Sequence, residues 1–135
     1  GNLWASEFGA NTWDELNLVE AGADYGWPSV EGAGGADAGF ADPAVQWPTD
    51  QASPSGIVVA DGTVFMAALR GQRLWAVPVG AGRAGDPEPF FTNEFGRLRT
   101  VAQAPDGSVW LVTNNTDGRG SPRDGDDRIL RLEVG

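Results

Sequence analysis

The 135-residue chain contains neither cysteine nor histidine. Without cysteine there are no disulfides, no zinc–thiolate sites and no thiol nucleophile, a usage compatible with either side of a membrane. Without histidine the chain lacks the side chain most often used as a general base near neutral pH, so proton abstraction falls to a carboxylate or to a residue outside this chain. Basic residues are scarce, nine against nineteen acidic, giving a formal charge of −10 and a pI near 4.2. Non-specific binding to nucleic acid needs a basic face to displace counterions and is excluded, whereas cation sites fit an acidic chain. No run approaches the ~20 apolar residues of a membrane span, and no stretch reads as a signal peptide. Long helical periodicity is missing too, apart from one weak stretch.

What is present is ample for a core: 41% hydrophobic residues, with six Trp and six Phe. Three stretches repeat one theme, a Gly turn leading into a short apolar strand with an aromatic fourth residue: Gly1-Asn2-Leu3-Trp4, Gly62-Thr63-Val64-Phe65 and Gly107-Ser108-Val109-Trp110. Each is followed by a second alternating strand that ends in Gly, at Gly22, Gly80 and Gly135. The repeats begin at residues 1, 62 and 107, and a period near ~40–50 with several strands per unit points to β-propeller blades. A ring needs ~4–8 blades, so three repeats read as an incomplete one.

Period-two alternation predicts an all-β chain with nine strands. They run from Leu3 to Glu7, Glu15 to Val19, Gly56 to Ala60, Thr63 to Leu69, Arg73 to Val79, Glu88 to Phe91, Leu98 to Ala104, Val109 to Thr113 and Arg128 to Val134. Residues 1–135 are read as part of a single propeller domain with loop insertions at about 30–48 and 114–127. The first insertion is rich in Gly, Ala and Asp, a composition that disfavours strand and helix alike. Asp61-Gly62 and Asp106-Gly107 are turns in which Asp-Gly supplies the positive φ of a tight hairpin. Trp4, Trp75 and Trp110 lie within strands and are expected in the core. Asp124-Gly125-Asp126-Asp127 lacks the regular order of a calcium loop and reads as a hydrated loop.

The densest segment is Asp14-Glu15-Leu16-Asn17-Leu18, continuing through Gly22 to Tyr25-Gly26-Trp27-Pro28. It resembles the soluble PQQ-dependent sugar dehydrogenases, the glucose/sorbosone dehydrogenase family. The resemblance continues at Ser53-Pro54-Ser55-Gly56, at Ala68-Leu69-Arg70-Gly71-Gln72-Arg73-Leu74, and at Gly96-Arg97-Leu98-Arg99 leading to Ala104-Pro105-Asp106-Gly107. These four motifs follow the family's order over nearly the whole chain and correspond to the C-terminal part of such an enzyme. The family implies a six-bladed propeller of which about three blades are here, a PQQ cofactor over the central channel, and Ca²⁺.

On the residues alone, Arg97 and Arg99 stand two apart on a predicted strand and leave one face roughly 7 Å apart. Their guanidinium forks suit the carboxylates of PQQ, and the resemblance gives them a cofactor-binding role; an exposed Arg-bearing strand face is the other reading. By resemblance Arg70 lies near the cofactor, although by position it is also an ordinary turn arginine. Gly9 and Ala10 match two consecutive backbone carbonyls that hold Ca²⁺ beside PQQ, with Phe8 where many members carry Gln or His. Main-chain ligation tolerates that change. Glu15 with the carbonyl of Tyr25 resembles a second, structural calcium site, with Asp14 as an assisting residue. Trp47-Pro48-Thr49 resembles the stretch lining the sugar pocket, with Trp47 as a substrate platform and the Thr49 hydroxyl reaching the cofactor; blade packing is the alternative for Trp47.

The resemblance implies oxidation of a sugar at its anomeric carbon, with an external electron acceptor and a periplasmic or extracellular location. The proton-abstracting histidine of the family belongs to an earlier blade, so this chain alone is expected to be inactive and to need the remaining propeller blades. The rival from another class is a non-catalytic propeller fragment serving binding or assembly. A lactonase-like calcium hydrolase is disfavoured by the arginine pair and the Tyr-Gly-Trp-Pro context.

Overall fold

Each strand of the repeat carries one apolar residue for the sheet before it and one for the sheet after it, and this stacks the chain into three sheets. The structure, a computed structural model, describes residues 1–134. The first sheet orders β1 (Leu3–Glu7), β2 (Trp13–Val19) and β3 (Val45–Pro48). The second orders β4 (Pro54–Ala60), β5 (Thr63–Ala68) and β6 (Arg73–Gly80), with β7 (Arg83–Ala84) and β8 (Glu88–Phe90) both along the free edge of β6. The third orders β9 (Leu98–Gln103), β10 (Val109–Thr113) and β11 (Ile129–Leu132). All pairings are antiparallel, and the chain is a partial β-propeller. Among the described residues no helix is long and apolar enough to cross a membrane.

Two apolar layers hold the sheets together. Trp4 and Leu16 of the first sheet, with Trp47 of β3, meet Val64, Met66, Trp75 and Val77 of the second. On the opposite face of the second sheet, Ala67 and Leu74 meet Leu98, Val101, Val109 and Leu111 of the third, with Phe65 packed alongside. The repeat therefore has a fixed orientation. Val64 and Val109 face the preceding sheet, whereas Trp4 and Phe65 face the following one. Leu3 and Trp110, the matching positions on the two outer faces, are 65% and 45% exposed. Trp110 is thus not a core residue in this chain: it alternates with buried Val109 and Leu111 and points away from the second sheet.

Three further departures from the sequence reading have physical causes. Val45–Pro48 falls inside the expected loop at 30–48 but forms a strand, opposite Trp13–Leu16. Four residues are too few to show alternation, and Pro48 is tolerated because it ends the strand at the sheet edge. The rest of that insertion is organised by side chains and a short 3₁₀ turn at Ala36–Ala38. Gln46 accepts from the Ala33 amide at 2.7 Å, and Asp42 from the Gly34 amide at 2.9 Å. In the turns, Asp61 and Gly62 both take positive φ, 46° and 69°, as a two-residue hairpin demands. At the second Asp-Gly only Gly107 does, because Asp106 instead accepts from the amide and hydroxyl of Ser108. Finally, β9 carries a bulge: Val112 pairs with Thr100 and Thr113 with Leu98, leaving Arg99 without a partner across the ladder.

Candidate functional site

Strand direction sends most of the candidate residues to one end of the sheets. With every neighbouring pair antiparallel, the connections 8–12, 49–53, 69–72, 91–97 and 114–128 all emerge at the end where β2, β4, β6, β9 and β11 begin. Gly9, Ala10, Thr49, Arg70 and Arg97 lie in these connections, and Glu15 and Arg99 near the same end of β2 and β9. All nine cationic side chains are arginines, and seven of them, all but Arg83 and Arg131, sit in or beside these connections. An otherwise acidic chain therefore concentrates its cations at one end.

Asp14 joins the loops of this end. It is fully buried on β2, its Oδ1 accepting from the Gly9 amide at 2.8 Å and its Oδ2 from the Ser53 amide at 2.6 Å. One carboxylate thus ties the Gly9–Ala10 loop of the first sheet to the Ser53-Pro54-Ser55-Gly56 motif of the second. Burial pushes the Asp14 carboxyl above the usual carboxylate range. The two amides and the nearby charge of Arg70 act in the other direction, and Glu31 adds to the rise. The turn bearing Arg70 is locked to the same motif, with Leu69 donating its amide to Ser53 and Gly71 to Ala52, each at 3.0 Å. A Cβ on Gly71 would stand 2.0 Å from the Gln51 carbonyl oxygen.

Glu31 fixes the other side of the Gly9–Ala10 loop. Its Oε1 accepts from the amides of Asn11, Thr12 and Trp13 at 2.9, 2.7 and 3.0 Å. Those amides, Thr12 first, hold its carboxyl below the usual range. Gly9 is required here, since a Cβ would lie 1.8 Å from the Trp13 carbonyl oxygen. With its amide groups so committed, the loop leaves the carbonyls of Gly9 and Ala10 without a hydrogen bond among the described residues. Two adjacent unused carbonyls are a donor set that suits a hard cation. Among the described residues there is no cluster of three or more metal-ligating side chains.

Glu15 is buried, accepting from the Gly32 amide at 2.7 Å and the Asn17 side chain at 3.1 Å. The Tyr25 side chain is anchored at the far end of β2, its hydroxyl donating to the Leu18 carbonyl at 2.5 Å and accepting from the Glu20 amide at 3.0 Å. The Thr49 hydroxyl approaches the Asn11 carbonyl at 3.5 Å and stays partly exposed. Trp47 is 2% exposed and stacks on Trp75 with ring centroids 5.5 Å apart. Its indole belongs to the layer between the first two sheets, which is the blade-packing alternative.

The two arginines of the third sheet differ. Arg97 precedes β9 and its Nη2 donates to Asp117 at 3.2 Å, while its Nε is buried without a partner among the described residues. Arg99 is exposed at the bulge, and its side chain makes no ion pair or hydrogen bond among the described residues. A close approach of β4 fixes the bulge in place: a Cβ on Gly56 would lie 3.0 Å from Thr100 Cα and 3.3 Å from the Arg99 carbonyl. The Arg97 Nη1, neither buried nor hydrogen-bonded among the described residues, and the unpaired Arg99 guanidinium are donors that fit planar oxyanions. The Asp124-Gly125-Asp126-Asp127 segment is no simple hydrated loop. Asp127 accepts from the Thr113 hydroxyl and from the Asn115 and Thr116 amides, and the Asp126 side chain, 3% exposed, accepts from Asn115 and pairs with Arg128.

The sequence reading missed Glu31, Asn115 and Asp117, and weighed Asp14 only as a helper at a metal. Asp14 alone carried a signal, since it shares the apolar phase of Leu16 and Leu18.

Comparison with known proteins agrees with this architecture. The chain is 59% identical to the PQQ-bound aldose sugar dehydrogenase of Streptomyces coelicolor, with a TM-score of 0.92 over 98% of this chain and 40% of that one. It is 38% identical to a putative oxidoreductase (glucose dehydrogenase) of Thermus thermophilus, with a TM-score of 0.81 over 98% and 41%. Among curated relatives, the aldose sugar dehydrogenase YliI of Escherichia coli is 26% identical over 86% of this chain and 36% of its own length. The chain thus spans about two fifths, or somewhat less, of the relatives it matches. The family model for glucose/sorbosone dehydrogenase matches residues 1–131, and the chain belongs to that family.

Proposed function

We propose that this chain is part of a PQQ- and Ca²⁺-dependent dehydrogenase that oxidises an aldose at its anomeric carbon, and that it supplies much of the cofactor-binding end. The observation that carries this reading is the 59% identity to a PQQ-bound aldose sugar dehydrogenase, joined to the unpartnered Arg97 Nη1 and the unpaired Arg99 at the open end. In this reading Arg97 and Arg99 bind cofactor carboxylates. Arg70 contributes positive charge from the neighbouring turn, and the Thr49 hydroxyl donates from the first. The carbonyls of Gly9 and Ala10 face the cation, and Glu15 with the Tyr25 carbonyl holds a second one. Trp47 supports this end from within the core and presents no face to the sugar.

When bound, the cofactor and its cation supply a hydride-accepting carbonyl and its polarisation. The chain's own part is position and field: Asp14 and Glu31 hold the Gly9–Ala10 loop, and the bulge at Arg99 aims a guanidinium. The chain contains no histidine, and in this reading the hydroxyl proton is taken by the family's histidine, which the resemblance places outside residues 1–135. A location outside the cytoplasm and an external electron acceptor belong to the same reading.

The test uses the full-length protein, freed of cofactor and then given PQQ and Ca²⁺, with dye reduction followed on glucose and other aldoses. Activity should appear only with both additions. Sugar oxidation that proceeds equally well without PQQ would refute the proposal.

A further inference from the structure

The loop 114–127 makes a set of contacts to the Arg97 segment that the cofactor reading does not itself require. Asn115, 1% exposed, accepts from the Arg97 amide at 2.8 Å and donates to the Phe95 carbonyl at 2.9 Å and to Asp126 at 3.0 Å. Its neighbour Asn114 donates its amide to the Arg97 carbonyl at 2.8 Å. Two glycines make room for this anchor: a Cβ on Gly96 would meet Asn115 Oδ1 at 2.2 Å, and one on Gly120 would meet the Asn115 carbonyl at 2.5 Å. With its backbone fixed on both sides, Arg97 turns its Nη2 to Asp117. Asp117 is fixed in turn, accepting from the Asn114 side chain at 3.0 Å and from the Arg119 and Gly120 amides at 2.8 and 3.1 Å.

We infer that Asp117 is a positioning residue: with Asn115 it clamps the Arg97 guanidinium in one orientation and leaves Nη1, which is neither buried nor hydrogen-bonded among the described residues, free for an oxyanion of the ligand. The inference rests on the cofactor reading above. It makes the arginine pair unequal. Arg97 is half-neutralised and oriented, a geometric contact, whereas Arg99 keeps its full charge and attracts. Replacing Asp117 has two opposed effects on an anionic ligand. Loss of the clamp frees a rotamer-rich side chain and weakens binding by up to about tenfold, while loss of a carboxylate raises the local positive potential and strengthens it. Salt separates them, because near 1 M the Debye length is only about 3 Å.

The substitution Asp117→Asn is chosen because an amide oxygen can still serve the Arg119 and Gly120 amides, keeping the turn. Its amide nitrogen then faces Nη2, donor against donor, and the clamp is lost. In the full-length protein with Ca²⁺ held constant, PQQ is titrated against tryptophan fluorescence at low and high salt for D117N, R97A and the double variant. We expect D117N to bind about tenfold more weakly at high salt and less so at low salt. No further loss is expected on the R97A background, and the thermal midpoint should stay within about 2 °C. An unchanged affinity, an equal loss in both backgrounds, or a loss matched by a fall of more than about 5 °C in that midpoint overturns the clamp. Failure of the unsubstituted protein to bind PQQ overturns the cofactor reading and the clamp together.

Discussion

Replacing Asp14 by alanine should both destabilise the protein and detach one loop from another, in amounts the structure allows to be worked out. Two amides, Gly9 and Ser53, lose a buried carboxylate acceptor at 2.8 and 2.6 Å. A hydrogen bond to a charged group contributes about 1.5–3 kcal/mol, and part of that sum is offset because the carboxylate no longer has to be buried, a cost visible in its raised pKa. The net expected loss is about 2–4 kcal/mol, read by urea unfolding. Asp14→Asn keeps one acceptor and turns an N–H toward the other amide, for about 1–3 kcal/mol. The sign of the pH effect follows from the same shift. A folded pKa above the unfolded 3.8 means that the folded state holds the extra proton, so this group's contribution falls as pH rises from about 4 through its raised value, and D14N should lose that slope. Hydrogen exchange supplies the local readout: the amides of Gly9 and Ser53 should be protected in the parent protein and exchange quickly in D14A. A D14A variant within about 0.5 kcal/mol of the parent, with both amides still protected, would refute the bridging role.

Trp47 and Trp110 give a contrast within one residue type. Trp47→Ala empties the layer against Trp75 and should cost about 3–5 kcal/mol, whereas Trp110→Ala, at 45% exposure, should cost under about 1 kcal/mol in residues 1–135 alone; equal losses by chemical denaturation would refute the layer assignment. Acid stability should depend on Ser108, whose hydroxyl, ahead of Arg131, brings the Asp106 carboxyl down to about 2. A folded pKa below the unfolded one adds stability above about pH 4 that disappears as pH falls toward 2. Ser108→Ala should therefore shrink the difference in thermal midpoint between pH 5 and pH 3, and parallel curves for the two proteins would count against it.

How much of this was legible in the sequence depends on how local the signal was. Leu3–Glu7 and Val109–Thr113 were readable to the residue, because alternation and a bounding Gly turn lie within the segment itself. Val45–Pro48 was not, since four residues carry no period and its place is chosen by β2. Trp110 was misread for a similar reason: alternation tells that 109 and 111 share a face but not which face is covered. At the site, resemblance and charge pointed to Arg97 and Arg99, yet the bulge that separates them depends on the pairing of β9 with β10. Glu31 reaches amides about twenty residues away, and Asn115 reaches Arg97 and Phe95 across a loop. Contacts of that kind arise from the fold and have no signature in spacing.

The alternation of Leu3, Val64 and Val109 with Trp4, Phe65 and Trp110 gives the stack of sheets a polarity. One surface offers aliphatic side chains at this position and the opposite surface an aromatic, so successive sheets join head to tail. A two-fold contact would set like against like, Leu3 on Leu3 or Trp110 on Trp110, and would match neither internal junction. Head-to-tail contacts end only when their rotations sum to a full turn, and otherwise continue as a filament. Any added sheet that reproduces the internal junctions must therefore enter in the same sense as the three already present. Inverting the second sheet would break both junctions at once, whereas inverting an outer sheet would break one.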